Sequence, residues 1–488
     1  MTRDPNSIPD DFGQVHFGLA ELGDQRRTNR LVDCANRIVR RPDQTLPKKL
    51  QTPASLDGFY RLMNTRRVTH DAVLHPHRQR TRECCASHSG VVLMIHDSTE
   101  LDYTSITSLK TLGQIGNGKK RGYICHNSLA VDAEQGEVIG LINQQLHHRS
   151  RVASGETIQE RRQRTDRESR LWSDAVRSIG SPPVDQQTGV STRWIHVADR
   201  GSDSFEALET FHQHGGFLIR SRGSRKVRSG HDQAEDRDRI LLKEYAQELP
   251  KIAMKEVQVR YRPADKRGRT RRPVQPQRTT LVNIGVGPVE IPIPARPRGE
   301  HGPDSILAWV LHVIETNPVK TGEPLEWILL TDQAVTTAED ALRMVEWYER
   351  RWIIEEFHKA MKTGCDIENL QFTTEGALQP TIALLSVVSV FLLTLRDLAR
   401  REDATKRPAS DLVDPFTQKI LGHWRKDKNW PTWNVREFVL ALARLGGHQN
   451  RKGDGLPGWL TLWRGWQELQ AMLTGARLAN FTRKCGEN

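Results

Sequence analysis

Cysteine is too scarce in this chain to build a scaffold: there are six in 488 residues, with Cys84 and Cys85 adjacent and no CxxC pair. That excludes a disulfide-stapled fold, argues against a structural zinc site and fits a reducing compartment. Long apolar runs are lacking too. Residues 1–13 are polar and acidic, without the apolar centre of a signal peptide. The most apolar stretch, 382–395, is too short to span a bilayer and carries two serines and a threonine. It is expected to be a buried helix, with the protein soluble, cytoplasmic and without a membrane partner. No internal repeat is visible. What the chain has in excess is positive charge: 72 Lys and Arg against 60 Asp and Glu, a net charge of +12 and a pI near 9.5. Such a balance favours a polyanionic partner, nucleic acid or an anionic membrane surface, with nucleic acid slightly ahead of a merely basic soluble protein. The length suggests about two to four domains.

Residues 14 to about 75 read as helical. The stretch 22–31 opens a helix with Asp24 as its cap, and Arg26, Arg27, Arg30 and Arg37 recur at helical spacing, as a basic stripe or as a solvated face. The apolar run 91–95 predicts a buried strand that ends in His96 and Asp97. Two more strands, 128–132 and 138–142, flank a Glu-Gln-Gly turn. A charged helix is expected over 156–178, then a strand over 194–198 that ends in Asp199-Arg200-Gly201, a helix over 205–214 and a strand over 216–220. From about 223 to 320 the texture becomes β-rich, with alternation in 256–261 and 280–284 and a basic loop at 266–272. A strand over 327–330 and a long helix over 338–362 follow. An apolar helix over 381–398, a polar linker at 401–410 and a helix bearing Trp459, Trp463 and Trp466 complete the chain. Those tryptophans suit either a self-association surface or an intrachain core.

The chemistry-bearing pattern is one of carboxylates. Two strands each end in an aspartate and a later helix carries Glu355. Magnesium and manganese take oxygen ligands, and carboxylates from separate rigid elements can converge on such ions for phosphoryl transfer. From Tyr348, the residues Arg351, Glu355 and Lys362 stand at offsets of 3, 7 and 14. On a straight helix all four fall within about 60° of one face. That face offers a carboxylate for metal beside a phenol, a guanidinium and an ammonium for phosphates. A solvated helix face laced with ion pairs is the competing reading of the same residues.

The spacing Tyr348-x2-Arg351-x3-Glu355-x6-Lys362 resembles the Y-R-E-K signature of the insertion-sequence-four family of bacterial cut-and-paste DDE transposases. Further resemblances follow in order: 21–31 to the family's N-terminal DNA-binding helix, Asp97-Ser98-Thr99 and Asp199-Arg200 to its two catalytic aspartates, 266–272 to its β insertion, and 458–467 to its C-terminal region. The resemblance implies an α/β (α+β multidomain) fold, an RNase H-like catalytic core interrupted by a β-rich insertion, with helical N- and C-terminal domains. It assigns 1–75 to transposon-end binding, 76–375 to catalysis with the insertion at about 223–320, and 376–488 to dimerisation. It implies that Asp97, Asp199 and Glu355 are catalytic and bind Mg2+, for which Mn2+ can substitute. Arg26, Arg27 and Arg30 would read the transposon end. Arg220, Tyr348, Arg351 and Lys362 would contact phosphates, and Trp327 would stabilise a flipped base at a hairpin. The implied partners are double-stranded DNA, both inverted-repeat ends and target, and a second copy of the chain. The implied setting is the bacterial cytoplasm, at the nucleoid. Two alternatives share these residues: an RNase H-like nuclease that cuts without joining, and a binding-only repressor derived from a transposase.

Overall fold

The protein is described from a computed structural model, over residues 11–41, 45–116, 118–149, 155–184, 192–230, 239–262, 264, 274–295, 302–318 and 324–485. The basic loop 266–272 lies outside the described residues. The chain divides into two compact units. Met1–Ser87, Thr99–His148 and Ile353–Asn488 form the first; His88–Ser98 and Arg149–Trp352 form the second.

In chain order the described strands are β1 (Val91–Asp102), β2 (Gly113–Gln114), β3 (Arg121–Asp132), β4 (Val138–His147), β5 (Arg193–Ala198), β6 (Phe217–Arg220), β7 (Lys226–Ser229), β8 (Ile240–Leu241), β9 (Lys251–Val259), β10 (Arg278–Pro292), β11 (Ser305–Glu315) and β12 (Glu326–Thr331). The chain passes between the units after Ser87, inside β1 after Ser98, after His148 and after Trp352.

The first unit begins with short helices: Phe12–Phe17, Gln25–Arg40, Leu46–Leu50, Pro53–Met63 and His70–Ala86. Asp24 caps the second as its side chain accepts from Arg26 N, satisfying a helix-end donor. Leu31, Cys34, Ala35 and Ile38 line that helix's buried face. β3 and β4 form an antiparallel hairpin longer than the two expected strands. The apolar helix Glu375–Leu398 packs on β4 and on His70–Ala86. Its length and composition would suit a membrane span, but most of it is buried inside the unit. Its hydroxyls return to its own carbonyls: Thr381 Oγ1 donates to Ala377 O, Ser386 Oγ to Ile382 O and Ser389 Oγ to Leu385 O. No hydroxyl of these three is left to cost a desolvation penalty in the core.

At the C-terminus the helices Val435–Leu445 and Trp459–Cys485 approach backbone to backbone. A Cβ at Gly465 would stand 1.9 Å from Leu442 O, and one at Gly446 2.0 Å from Thr461 O. Trp459, Trp463 and Trp466 are buried within the chain. Of the two readings, the packed core holds for these three side chains; Leu478, on the same helix, is exposed.

The second unit is built on a mixed sheet. β5 lies parallel between β1 and β6, and antiparallel strands continue through β12, β11 and β10 to β7 and β8, with β9 also on β10. Val92–Ile95 of β1 are fully buried, as expected of a strand covered on both faces. Helices Leu171–Ile179 and Phe205–Gln213 supply Trp172, Val176, Leu208 and Phe211 to the core on one side. The charged helix expected over 156–178 is interrupted: Ile158–Gln163 ends at Arg164, whose backbone turns extended while its guanidinium pairs with Asp166 at 2.7 Å.

The long helix expected over 338–362 is broken as well. Ala338–Arg350 starts from a Thr337–Asp340 capping box. It tightens at its end, where Arg351 N bonds Tyr348 O and Trp352 N bonds Glu349 O, both across three residues. A new helix runs Ile353–Lys359 and widens into a π turn at Ala360–Gly364. The break is supported by side chains: Arg351 turns to Asp97, and Arg260 stacks its guanidinium 4.5 Å from the Trp352 ring centre. The single straight face on which Tyr348, Arg351, Glu355 and Lys362 were expected therefore does not exist. Tyr348 and Arg351 belong to the second unit, Glu355 and Lys362 to the first.

Buried histidines set an acid limit on this fold. Burial lowers His77, His126 and His196 from 6.5 to about 3. His77 Nε2 accepts from Leu141 N at 3.1 Å, so its Nδ1 carries the hydrogen that meets His16 Nδ1 at 3.0 Å. Below about pH 6.5 the unfolded chain binds protons that the folded chain refuses, so stability is present above that pH and is lost as pH falls toward 3. At pH 5 each of these groups should remove about 2 kcal/mol. The melting temperature is expected to drop markedly between pH 7.5 and pH 5; an unchanged melting temperature would contradict this account.

Candidate active site

Strand register brings the two aspartates together. In the parallel pair β1–β5 the last matched residues are Ile95 and Val197, and each aspartate lies two positions beyond. Asp97 and Asp199 thus stand abreast, although β1 does not end at Asp97 as expected but runs on to Asp102, whereas Asp199 directly follows the end of β5. The neighbouring pair β5–β6 matches Ala198 with Ile219, so Arg220 follows abreast of Asp199. Asp97 Oδ1 accepts from Ser98 N at 2.8 Å, and Asp199 Oδ1 from Gly201 N at 2.7 Å. A Cβ at Gly201 would meet the Trp172 ring at 2.7 Å and Asp199 Oδ1 at 2.9 Å, so this turn needs glycine. The turn is anchored from below by Asp203, which pairs with Arg225 at 2.6 Å and accepts from Ser221 Oγ and Arg222 N.

Cations surround these carboxylates. Arg351 Nη1 lies 3.4 Å from Asp97 Oδ2. Arg220 Nη2 donates to Glu326 O at 2.8 Å, and its pKa is lowered by burial and by the nearby charges of Arg200 and Arg351. Tyr348 is buried, with its phenol raised above the ordinary tyrosine range by burial against the opposing pull of Arg351 and Arg220. Trp327 is half-buried on β12 and meets Tyr348 edge-on, with ring centres 5.2 Å apart. Two residues without a role in the sequence reading lie here: Arg200, next to Asp199, and Arg222 are both exposed, with Arg222 Nε donating to Arg200 O. Their signal was their position, each two residues past the end of a strand.

In the first unit Glu355 is half-buried on Ile353–Lys359, between the buried Ile354 and Phe357. Its neighbour Glu356 pairs with Arg396, which also pairs with Asp397; Asp397 in turn accepts from Val138 N. Lys362 sits in the π turn, where its Nζ donates to Glu100 O and lies 3.3 Å from Glu368. Among the described residues no three His, Cys, Asp or Glu side chains are gathered as a metal-holding group. The structure abuts Asp97 and Asp199 in one unit and carries Glu355 in the other.

The N-terminal arginines differ from one another. Arg26 is 90% exposed and paired with Asp24, whereas Arg27 turns inward to donate to Leu22 O. Arg30 is exposed over Gly58, and Arg37 pairs with Asp33. Arg26→Ala is expected to leave the melting temperature unchanged, weaken binding to end DNA and lower the salt slope of binding by about one. An unchanged salt slope would remove Arg26 from the interface.

Comparison with family models gives three matches. Residues 9–68 match a transposase DNA-binding model, 187–391 a transposase DDE domain and 417–486 a transposase Tn5 dimerisation domain. The chain belongs to the DDE transposases. The three matches together are those of a Tn5-like member, so it is a DDE-type DNA transposase with an RNase H-like core. The DDE match includes Asp199 and Glu355, and the DNA-binding match includes Arg26, Arg27 and Arg30. The family implies dependence on a divalent metal, and the matches support DNA and a second copy of the chain as partners. The carboxylates of Asp97 and Asp199 fit such a cation: they are hard oxygen donors, neither is fully buried, and a guanidinium already balances Asp97.

Proposed function

We propose that this transposase excises its element by cut-and-paste chemistry and joins the freed ends to target DNA. The observation that carries this reading is the placing of Asp97 and Asp199 abreast on parallel strands, with Arg220, Tyr348 and Arg351 packed around them. Asp97, Asp199 and Glu355 hold the metal, Mg2+ or Mn2+. Divalent ions so held activate an attacking oxygen and stabilise a leaving one. Arg220, Tyr348, Arg351 and Lys362 contact and orient the phosphates. Each step is an in-line displacement at phosphorus, so one site serves all of them. Water cuts one strand, the 3′-hydroxyl attacks the opposite strand to close a hairpin, water reopens it, and the 3′-hydroxyl attacks the target. Trp327 takes up a base extruded at the hairpin.

Residues 1–75 bind the inverted-repeat end, with Arg26 and Arg30 toward DNA; 76–375 carry the chemistry, with a β-rich insertion at about 223–320; 376–488 hold two copies together in a paired-end complex. The work takes place at the DNA in a bacterial cytoplasm. Incubation with end-bearing duplex and magnesium is expected to give, in order, a nick, a hairpin and a blunt end on a denaturing gel. Double-strand cleavage without any hairpin would overturn the hairpin step.

A further inference from the structure

The helix that carries Glu355 ends against a buried lysine. Lys48 and Lys49 are adjacent on the short helix Leu46–Leu50, yet Lys48 is exposed and Lys49 is only 1% exposed. Lys49 Nζ donates to Cys365 O at 2.9 Å. Cys365 directly follows the π turn, and its own N–H closes that turn on Ala360 O. A cation here lies at the carbonyl end of the helix, where the backbone dipoles favour positive charge.

The segment beyond Cys365 is pinned at further points. Asp366 adopts a left-handed φ of 57°, and Tyr103 donates its hydroxyl to Ile367 O at 3.0 Å. Glu368 accepts from Asp102 N at 2.9 Å and pairs with Lys362 at 3.3 Å. Lys362 is thus aimed partly by Glu368, and Glu368 stands on a turn that begins one residue after the carbonyl held by Lys49. All of these residues lie in one compact unit. Lys49 also falls within the span that matches the transposase DNA-binding model.

We propose that Lys49 is a positioning residue that fixes the end of the reacting helix, so that the DNA-binding segment and Lys362 are set by one another. The proposal rests on the role given to Lys362 above. Removing the ammonium frees the carbonyl at Cys365, loosens 365–369 and lets Lys362 drift from the phosphate it serves. An ångström of drift at such a group costs up to about a hundredfold in rate. The expected signature is a split: end binding survives, because the N-terminal phosphate contacts are untouched, while cleavage falls.

The test uses the full chain with Lys49→Met and Lys49→Gln, and Lys362→Met as reference. End affinity is read by gel shift, first-strand nicking by single turnover with magnesium, and hydrogen exchange by mass spectrometry over 360–372. The expected result is end affinity within about threefold, nicking slower by about tenfold or more, and faster exchange over 360–372 alone. Unchanged nicking and exchange in both Lys49 variants would overturn the proposal, as would equal loss of binding and nicking, or failure of both variants to fold. If Lys362→Met itself nicks at the wild-type rate, the reading of Lys362 fails instead.

Discussion

Asp97→Ala, Asp199→Ala and Glu355→Ala are each expected to abolish strand cleavage while leaving binding to end DNA nearly intact. Each removes a carboxylate assigned to the metal, worth several kcal/mol in the transition state, a loss on the order of a thousandfold or more. Binding rests mainly on basic contacts to phosphates elsewhere on the chain. The fold should tolerate these changes, because none of the three side chains is fully buried. Asp97→Ala also releases Arg351 from its 3.4 Å contact, so this variant should bind DNA at least as tightly as the wild type. Cleavage by any of the three at near wild-type rate with magnesium would remove that residue from the site.

Trp327→Ala is expected to act on particular steps. A hairpin needs one strand to turn back over a very short distance, and duplex DNA resists that turn unless a base leaves the stack. Stacking the extruded base on an indole returns about 1–3 kcal/mol, so hairpin formation and opening should slow about 5- to 150-fold. The first nick needs no sharp turn and should keep its rate. Trp327 is half-buried and meets Tyr348 edge-on. Trp327→Phe should retain part of the activity, because a π face remains. Equal slowing of all three steps, together with a lower melting temperature, would make Trp327 a core residue only.

The two aspartates were legible because apolar runs such as 91–95 and 194–198 mark buried strands and stop at the charge, but β1 runs on past Asp97 to Asp102, so only Asp199 stands at a strand end. The extent of β3 was not legible, since His126, Asn127 and Ser128 look unlike a buried strand. In the fold they are fully buried, and Asn127 is satisfied by Gln144 and His358, partners remote in sequence. The break after Arg350 was hidden for a related reason. No proline or glycine interrupts 338–362, and the turn at 351–352 is stabilised by Asp97 and Arg260, which no local pattern reveals. The Y-R-E-K spacing nevertheless pointed to the right family, because it records which side chains the site uses rather than the path of the backbone between them. The tryptophans near the C-terminus carried no local signal that told core from interface; in the fold all three are buried within the chain, with Trp466 edge-on to Phe391.

The central claim is that one carboxylate site both cuts and joins DNA. It is tested most directly by giving the purified chain pre-cut transposon ends with free 3′-hydroxyls, a supercoiled target plasmid and magnesium, and scoring covalent end–target product. The account predicts joining by the wild type and none by Asp199→Asn, with both proteins binding the ends equally. Cutting of uncut ends by a wild-type protein that never joins pre-cut ones, or joining by Asp199→Asn at the wild-type rate, would contradict it.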